Sequence, residues 1–270
     1  CCNHTLRRVY DGKGKYIRRY SISRSIDLIK HLRRQFPKTE SVEFFDDTFT
    51  LDSSWLHGFL KESSCLGIKF ICNSRFDILN EELIKLLADS GCVRLNAAIE
   101  CGNEKLRKDI LRRDIPNEEI AEKAKLLKKY KIELFTHNMV GVPYETKEDI
   151  LKTIELNKRI KSDVIQVSIF TPYPKSDLGE LCLNEKWINK KLKATSFIDF
   201  TILKTPYIKP HLVDYYFIMF ESMIRDKDLV LRFKKVFYWF LHFHHNALYL
   251  LLRKIKGNSK FFLNIFSKNV

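Results

Sequence analysis

Glycine and proline are scarce in this 270-residue chain, at nine and seven. That excludes collagen-like and linker-like sequences. No run of residues approaches the roughly 18 apolar positions of a membrane span. The seven cysteines (1, 2, 65, 72, 92, 101, 182) are odd in number and irregular in spacing. They are not a secreted disulfide framework, and a reducing cytoplasm is the better setting. Acidic residues are also short: 33 Asp+Glu face 48 Lys+Arg, a net +15. That balance favours anionic partners (a nucleic acid, a phospholipid surface or an acidic substrate) without choosing among them. What remains is ordinary for a globular protein, 45% hydrophobic and 30% charged, and long enough for one large domain with or without an appendage. The chain opens on Cys1 rather than Met, without a signal-peptide pattern. The expectation is a fragment of a longer protein, cut just before an informative stretch.

Between residues 20 and 172, apolar β-rich runs alternate with helical patterns. The runs Ser41–Phe45, Ile68–Cys72, Val93–Ile99, Ile132–Val140 and Val164–Phe170 read as strands covered on both faces. Ser25–Phe36, Glu81–Asp89, Asn117–Tyr130 and Lys147–Lys161 read as amphipathic helices. Asn80 and Asn117, each followed by two glutamates, are predicted N-caps, and Gly91 a helix stop. Strand–helix alternation implies parallel pairing with helical crossovers. An open α/β sheet and a partial barrel both satisfy it, and in either the ligand lies beyond the carboxyl ends of the strands.

Those ends are polar. In order they carry Asp46-Asp47, Asn73-Ser74-Arg75, Glu100-Cys101-Gly102, His137 and Asn138 followed by Gly141 to Thr146, and Thr171-Pro172-Tyr173-Pro174. Each alone could be turn or cap chemistry. Five successive strands delivering polar groups to one rim is harder to explain that way. After Cys182 the pattern changes. Residues 183–213 read as a connector, and 214–270 as an aromatic, basic helical extension with nine of the twenty Phe. The cluster His242, His244 and His245 lies within its apolar run without Cys or acidic partners and does not read as a metal site.

In this order and at these intervals, the rim motifs resemble those of the radical S-adenosylmethionine (SAM) enzymes, in particular the class whose complete chains carry a preceding cobalamin-binding domain. Cys1-Cys2-Asn3-His4 resembles the tail of a Cys-x-x-x-Cys-x-x-Cys loop, with Cys1 as its third cysteine. Phe44 to Phe49 resembles the family's aspartate pair, and Ile99-Glu100-Cys101-Gly102 an Ile-Glu-Ser-Gly motif. Met139 to Thr146 resembles Gly-Leu-Pro-Gly-Glu-Thr, and Thr171-Pro172-Tyr173-Pro174 with Leu178 resembles Pro-Tyr-Pro-Gly-Thr-x-Leu. Tyr144 stands where glycine is usual, and Lys175-Ser176 where Gly-Thr is. The resemblance covers residues 1–182. It implies an α/β fold: a partial (β/α)6 TIM-like barrel lacking its first strand, followed by the α-helical extension.

The same resemblance implies an enzyme that uses a 4Fe–4S cluster to cleave SAM reductively to a deoxyadenosyl radical, with a cobalamin-dependent methyl transfer as one outcome. Cys1 is the implied metal ligand, so residues 1–270 alone are expected to be inactive. Asp46 or Asp47 would take the SAM ammonium, and Glu100 and Asn73 the ribose hydroxyls or the amino group. Arg75 would take the carboxylate, unless it pairs with Asp77 or Glu100. Gly141 and Val142 would let the backbone approach the adenine, or simply form a tight turn. Cys101 is a rim thiol or an apolar filler. The implied partners are a small-molecule or lipid-like substrate and an electron donor such as flavodoxin or ferredoxin. An RNA-modifying methylthiotransferase of the same superfamily is a second reading, favoured by the charge but without an evident RNA-binding module, which makes nucleic acid the less favoured partner. A peripheral membrane or partner-binding protein on a barrel scaffold, cytoplasmic or at the anionic inner membrane surface and held by the basic aromatic extension, is the third.

Overall fold

The computed structural model describes residues 2–15, 17–189 and 200–225. Their order is α1 (Cys2–Tyr10), α2 (Ile22–Gln35), β1 (Ser41–Phe44), α3 (Ser53–Ser64), β2 (Lys69–Ser74), α4 (Glu81–Asp89), β3 (Cys92–Glu100), α5 (Glu104–Asp109), α6 (Asn117–Lys129), β4 (Glu133–Val140), α7 (Lys147–Ile160), β5 (Val164–Ile169), α8 (Asp177–Asn184) and α9 (Pro210–Ile224). The chain divides into two compact units, residues 1–224 and 225–270. Cys1, the triple-histidine stretch and the extension beyond Arg225 lie outside the described residues. No helix among the described residues is long and apolar enough to cross a membrane.

The five strands form one parallel sheet in the order β1-β2-β3-β4-β5. Each strand joins the same growing edge, so right-handed crossovers put every connecting helix on one face. A doubly wound sheet would reverse direction partway, and this one does not. The result is a half-barrel, and it settles the choice that strand–helix alternation alone leaves open.

The two faces of the sheet differ. Phe70, Cys72, Leu95, Ala97, Ile99 and Leu134 point under the helices and join Leu56, Phe59, Leu87, Ile120 and Leu127 in the main core. Phe44, Phe49, Phe59 and Phe70 meet within it as an aromatic cluster, with ring centroids 4.5 to 6.1 Å apart. Their intervening neighbours line the concave face, and many are polar: Asn73, Arg94, Asn96, Glu133, His137, Gln166 and Ser168. The strands are therefore not apolar on both sides as expected. Period-2 alternation places the charges on the open side, where water or a ligand meets them. A second core, around Val140, Ile154 and Ile169, is closed by Val213, Tyr216 and Phe220 of α9.

Local chemistry explains the helix starts. Asn80 accepts from the Leu83 N–H at 2.8 Å, as expected of an N-cap. Thr146 and Asp149 form a capping box at the start of α7. Asn117 does not cap α6. The cap position is Pro116, and Asn117 instead donates to the Gly102 carbonyl at 2.9 Å and accepts from Arg107, tying α6 to the β3 rim turn. Gly91, at φ 97°, ends the α4 segment as expected.

Candidate active site

The parallel register brings the carboxyl ends together. Phe44 is level with Cys72, Ser74 with Ala97, Glu100 with Asn138, and Val140 with Ile169. Asp46, Asn73, Glu100 and Gly141 consequently share one rim of the half-barrel. Asp46 and Asp47 are exposed. Asn73 donates to the Asp46 carbonyl at 2.9 Å, which fixes the turn after β1. Arg75 grips Asp77 through two bonds, the Nε one at 2.9 Å.

Glu100 sits at φ 65°, just past a register shift between Ala98 and Glu100. The irregularity breaks the alternation and re-aims the side chain at the rim. Arg113, from the loop after α5, places a guanidinium nitrogen 3.4 Å from its carboxylate. His137 projects from the adjacent strand. Burial lowers its pKa and Arg113 lowers it further, against Glu100 and a hydrogen bond to Gln166, which raise it. The net direction is downward, toward a neutral imidazole at physiological pH. Asn138, one residue on, points the opposite way. It is buried under α7, accepts from Asn157 at 2.7 Å and donates to the Gln166 carbonyl at 3.1 Å. Of this adjacent polar pair, only His137 faces the site.

The β3 and β4 rim turns are bolted together. Glu145 is fully buried, and one of its oxygens accepts from Gly141 N at 2.6 Å and Val142 N at 3.3 Å. Its other oxygen is buried without a hydrogen-bond partner. Burial pushes Glu145 up to about 8, against the two backbone N–H groups. Burial and the nearby Glu145 carboxyl push the Cys101 thiol up to about 12, so it is an inert filler rather than a nucleophile. Gly102 N donates to Thr153 Oγ1 at 2.8 Å, and Asn103 donates to Asp149 at 2.6 Å. Behind the β3 turn the buried Arg107 guanidinium donates to the Cys101 carbonyl at 2.6 Å, to Asn117 at 2.9 Å and to the Ile115 carbonyl. It shapes the loop that delivers Arg113.

Both residues standing where glycine was expected have left-handed backbone: Tyr144 at φ 69° and Lys175 at φ 63°. Only glycine adopts that region freely, at a saving of about 1 kcal/mol. Tyr144 recovers packing edge-on against Trp187 and Tyr207, each at 5.2 Å between ring centroids. Ser176 takes over the expected threonine's hydroxyl as the N-cap of α8, accepting from Gly179 N at 3.1 Å. Gly141, at φ 77°, lies under α9. A Cβ there would meet Val213 Cγ1 at 2.8 Å. Val142 is buried in the core beneath α8.

Sequence reasoning named Asp46, Asp47, Asn73, Arg75, Glu100, Gly141 and Val142; all seven belong to the strand ends or the turns that follow them, but Arg75 is engaged by Asp77, and Gly141 and Val142 are buried beneath α9 and α8. It missed Arg113, Asn96 and Gln166, and gave no role to Glu145. Alternation counted outward from Asn73 and His137 could have found Asn96 and Gln166. Nothing local marks Arg113, which reaches Glu100 only through the loop geometry set by Arg107.

Comparison with known proteins agrees with this geometry. Residues 1–156, more than half of the chain, match the model of the Radical SAM superfamily. An uncharacterized methyltransferase of Pyrococcus horikoshii is 30% identical over 173 residues, covering 63% of this chain and 37% of its own. A tRNA-2-methylthio-N(6)-dimethylallyladenosine synthase of a Sulfurihydrogenibium species is 32% identical over 111 residues, 40% of this chain and 25% of its own. The chain thus spans 25% to 37% of the length of these relatives. The radical SAM methyltransferase TsrM of Kitasatospora setae, solved with cobalamin and a 4Fe–4S cluster bound, shares the fold with a TM-score of 0.55 at 17% identity, over 70% of this chain and 39% of that one. Five parallel strands curled into a half-barrel, the polar rim and the matched family model together make this chain a member of the radical SAM superfamily.

Proposed function

We propose that this chain forms the SAM-binding half-barrel of a radical SAM methyltransferase acting on a small-molecule substrate, with reducing equivalents from an electron donor such as flavodoxin or ferredoxin. The observation that carries this reading is the convergence of Asp46, Asn73, Glu100, Arg113 and Gly141 on one rim within the matched family region. The residues present fit a sulfonium amino acid joined to a nucleoside. Exposed Asp46 and Asp47 offer carboxylates to an ammonium. Arg113 offers a guanidinium to the carboxylate: its single 3.4 Å approach to Glu100 is looser than the two-bond grip of Arg75 on Asp77. Glu100 and Asn73 offer acceptors to a ribose diol. Gly141 and Val142 are buried and their N–H groups are held by Glu145, so in this reading they shape the turn beside the adenine rather than touch it.

When bound, a 4Fe–4S cluster supplies the electron that breaks the sulfonium bond. Cys1 is the residue this reading assigns to it. Among the described residues no group of three His, Cys, Asp or Glu could hold a metal ion. Cobalamin use is supported by the fold likeness to TsrM. A tRNA-modifying methylthiotransferase is the second reading, supported by the Sulfurihydrogenibium relative and the +15 charge.

The test is anaerobic reconstitution of the complete protein with iron and sulfide. Cleavage of SAM to deoxyadenosine, together with the paramagnetic signal of a reduced cluster, is expected. Absence of both rejects the reading. Binding of tRNA that collapses with rising salt would favour the second.

A further inference from the structure

The loop between α5 and α6, residues 110–116, carries two consecutive arginines that diverge. Arg113 places a guanidinium nitrogen 3.4 Å from the carboxylate of Glu100, the last residue of β3. Arg112 places one 2.8 Å from Asp177, the first residue of α8, beyond the end of β5. The two pairs tether one loop to the rim on either side of β4. The other Asp177 oxygen pairs with Arg8 of α1. The base of the loop is fixed separately. Arg107 donates to the Ile115 carbonyl, Arg113 N donates to the Arg107 carbonyl at 3.0 Å, and Lys108 pairs with Asp114 at 2.7 Å. Arg112 takes part in none of these and meets Asp177 instead.

Arg112 has left-handed backbone, at φ 55°. That region is disfavoured about tenfold for a residue with a side chain and is open to glycine. The ion pair does not offset this in stability. The Arg112 and Asp177 side chains are 50% and 26% exposed, and an exposed pair is worth a factor of about five at most. Glycine would make the turn more readily, but without the grip on Asp177. Strain held at such a position points to a use for the side chain. What the pair fixes is direction. With Arg112 drawn toward the β5 end, the guanidinium of the next residue stays over the β3 end.

We propose that Asp177 and Arg112 are positioning residues, a clasp that holds loop 110–116 so that Arg113 stands ready for the SAM carboxylate. The clasp acts through Arg113 and touches no substrate itself. Through Arg8 it also ties that placement to α1, the helix that follows Cys1. The assignment rests on the proposed function in taking Arg113 as the carboxylate ligand, so one arm of its test leaves SAM out.

Two readouts are taken on the complete protein. The first omits SAM and cluster and follows the titration of His137 by NMR of 13C-labelled histidine, its signal identified by loss in His137→Gln. Arg113 presses the pKa of this imidazole down. Asp177→Asn is expected to raise it, as Arg113→Ala does, and the two substitutions together no further than Arg113→Ala alone. The second readout is SAM affinity in equilibrium dialysis of the reconstituted protein. Asp177→Asn and Arg112→Gly are each expected to weaken it about three- to fivefold, and neither to add to the loss in Arg113→Ala. Arg112→Gly also relieves the left-handed backbone, so its urea midpoint is expected to stay near that of wild type while its SAM affinity falls. A merely stabilising pair would not produce that split. A His137 titration unmoved by Asp177→Asn, losses that add to that of Arg113→Ala, or an Arg112→Gly midpoint that falls along with affinity would each overturn the clasp. SAM binding indifferent to Arg113→Ala would instead reject the carboxylate role of Arg113, and the His137 titration would still decide the clasp.

Discussion

Replacing Glu145 by glutamine isolates the one fully buried carboxyl of the rim. In the fold its pKa is pushed up to about 8 by burial, from an ordinary 4.5. Between those two values the folded protein keeps the proton that the unfolded chain has released. The native state then binds more protons than the unfolded state, so stability falls as pH rises, by about 1.4 kcal/mol per pH unit for this group. The contribution is fully present below the unfolded value and is lost as pH rises through the folded one. Glutamine keeps a carbonyl oxygen for Gly141 N and Val142 N but does not titrate. Its amide must find an acceptor beside Cys101, a fixed cost of about 1 kcal/mol that does not change with pH. The stability of Glu145→Gln relative to wild type should therefore climb by roughly 3 kcal/mol from about pH 5 to about pH 7.5. Urea denaturation at several pH values reads this directly, with m expected to stay constant. A difference flat in pH would refute the reasoning. A difference of opposite slope would mean that the two backbone donors outweigh burial and hold the carboxylate ionised.

Other outcomes follow from the same geometry. Arg107→Ala orphans the Cys101 and Ile115 carbonyls and should cost about 2–4 kcal/mol, seen as a lower urea midpoint. Gly102→Ala would put a Cβ 2.5 Å from the Lys152 backbone, which cannot yield as a side chain could. A loss of about 1–3 kcal/mol is expected, and a neutral result would show that α7 can shift. Arg113→Ala should weaken SAM binding about tenfold or more in equilibrium dialysis of the reconstituted protein, as expected for a charge-assisted bond, whereas Arg75→Ala should leave it nearly unchanged. Equal effects of the two would return the carboxylate to Arg75.

Strand and helix positions followed from patterning because it is local. The apolar runs at 41–45 and 132–140 match β1 and β4 to within a residue, and Glu81–Asp89 coincides with α4. The short helices α5 and α8 escaped because too few turns separate their caps for a period to register, whereas α3, twelve residues long, was simply not singled out. Asn117 carried a capping signature but serves a tertiary contact with Gly102 instead. The motif order at the strand ends revealed the family and the rim, since parallel strands must deliver their carboxyl ends to one side.

Which face each polar residue takes was a matter for the tertiary structure. His137 and Asn138 are adjacent in sequence, yet one looks into the half-barrel and the other into a buried amide network under α7. Sheet order turned an ambiguous alternation into a curled half-barrel. Loop geometry brought Arg113 to Glu100, and burial set the proton affinity of Glu145. Sequence by itself determined the elements and the chemistry available at their ends, because propensity and period act over a few residues. Partners, orientation and proton affinity depend on atoms distant in the chain and near in space, and only folding brings those together.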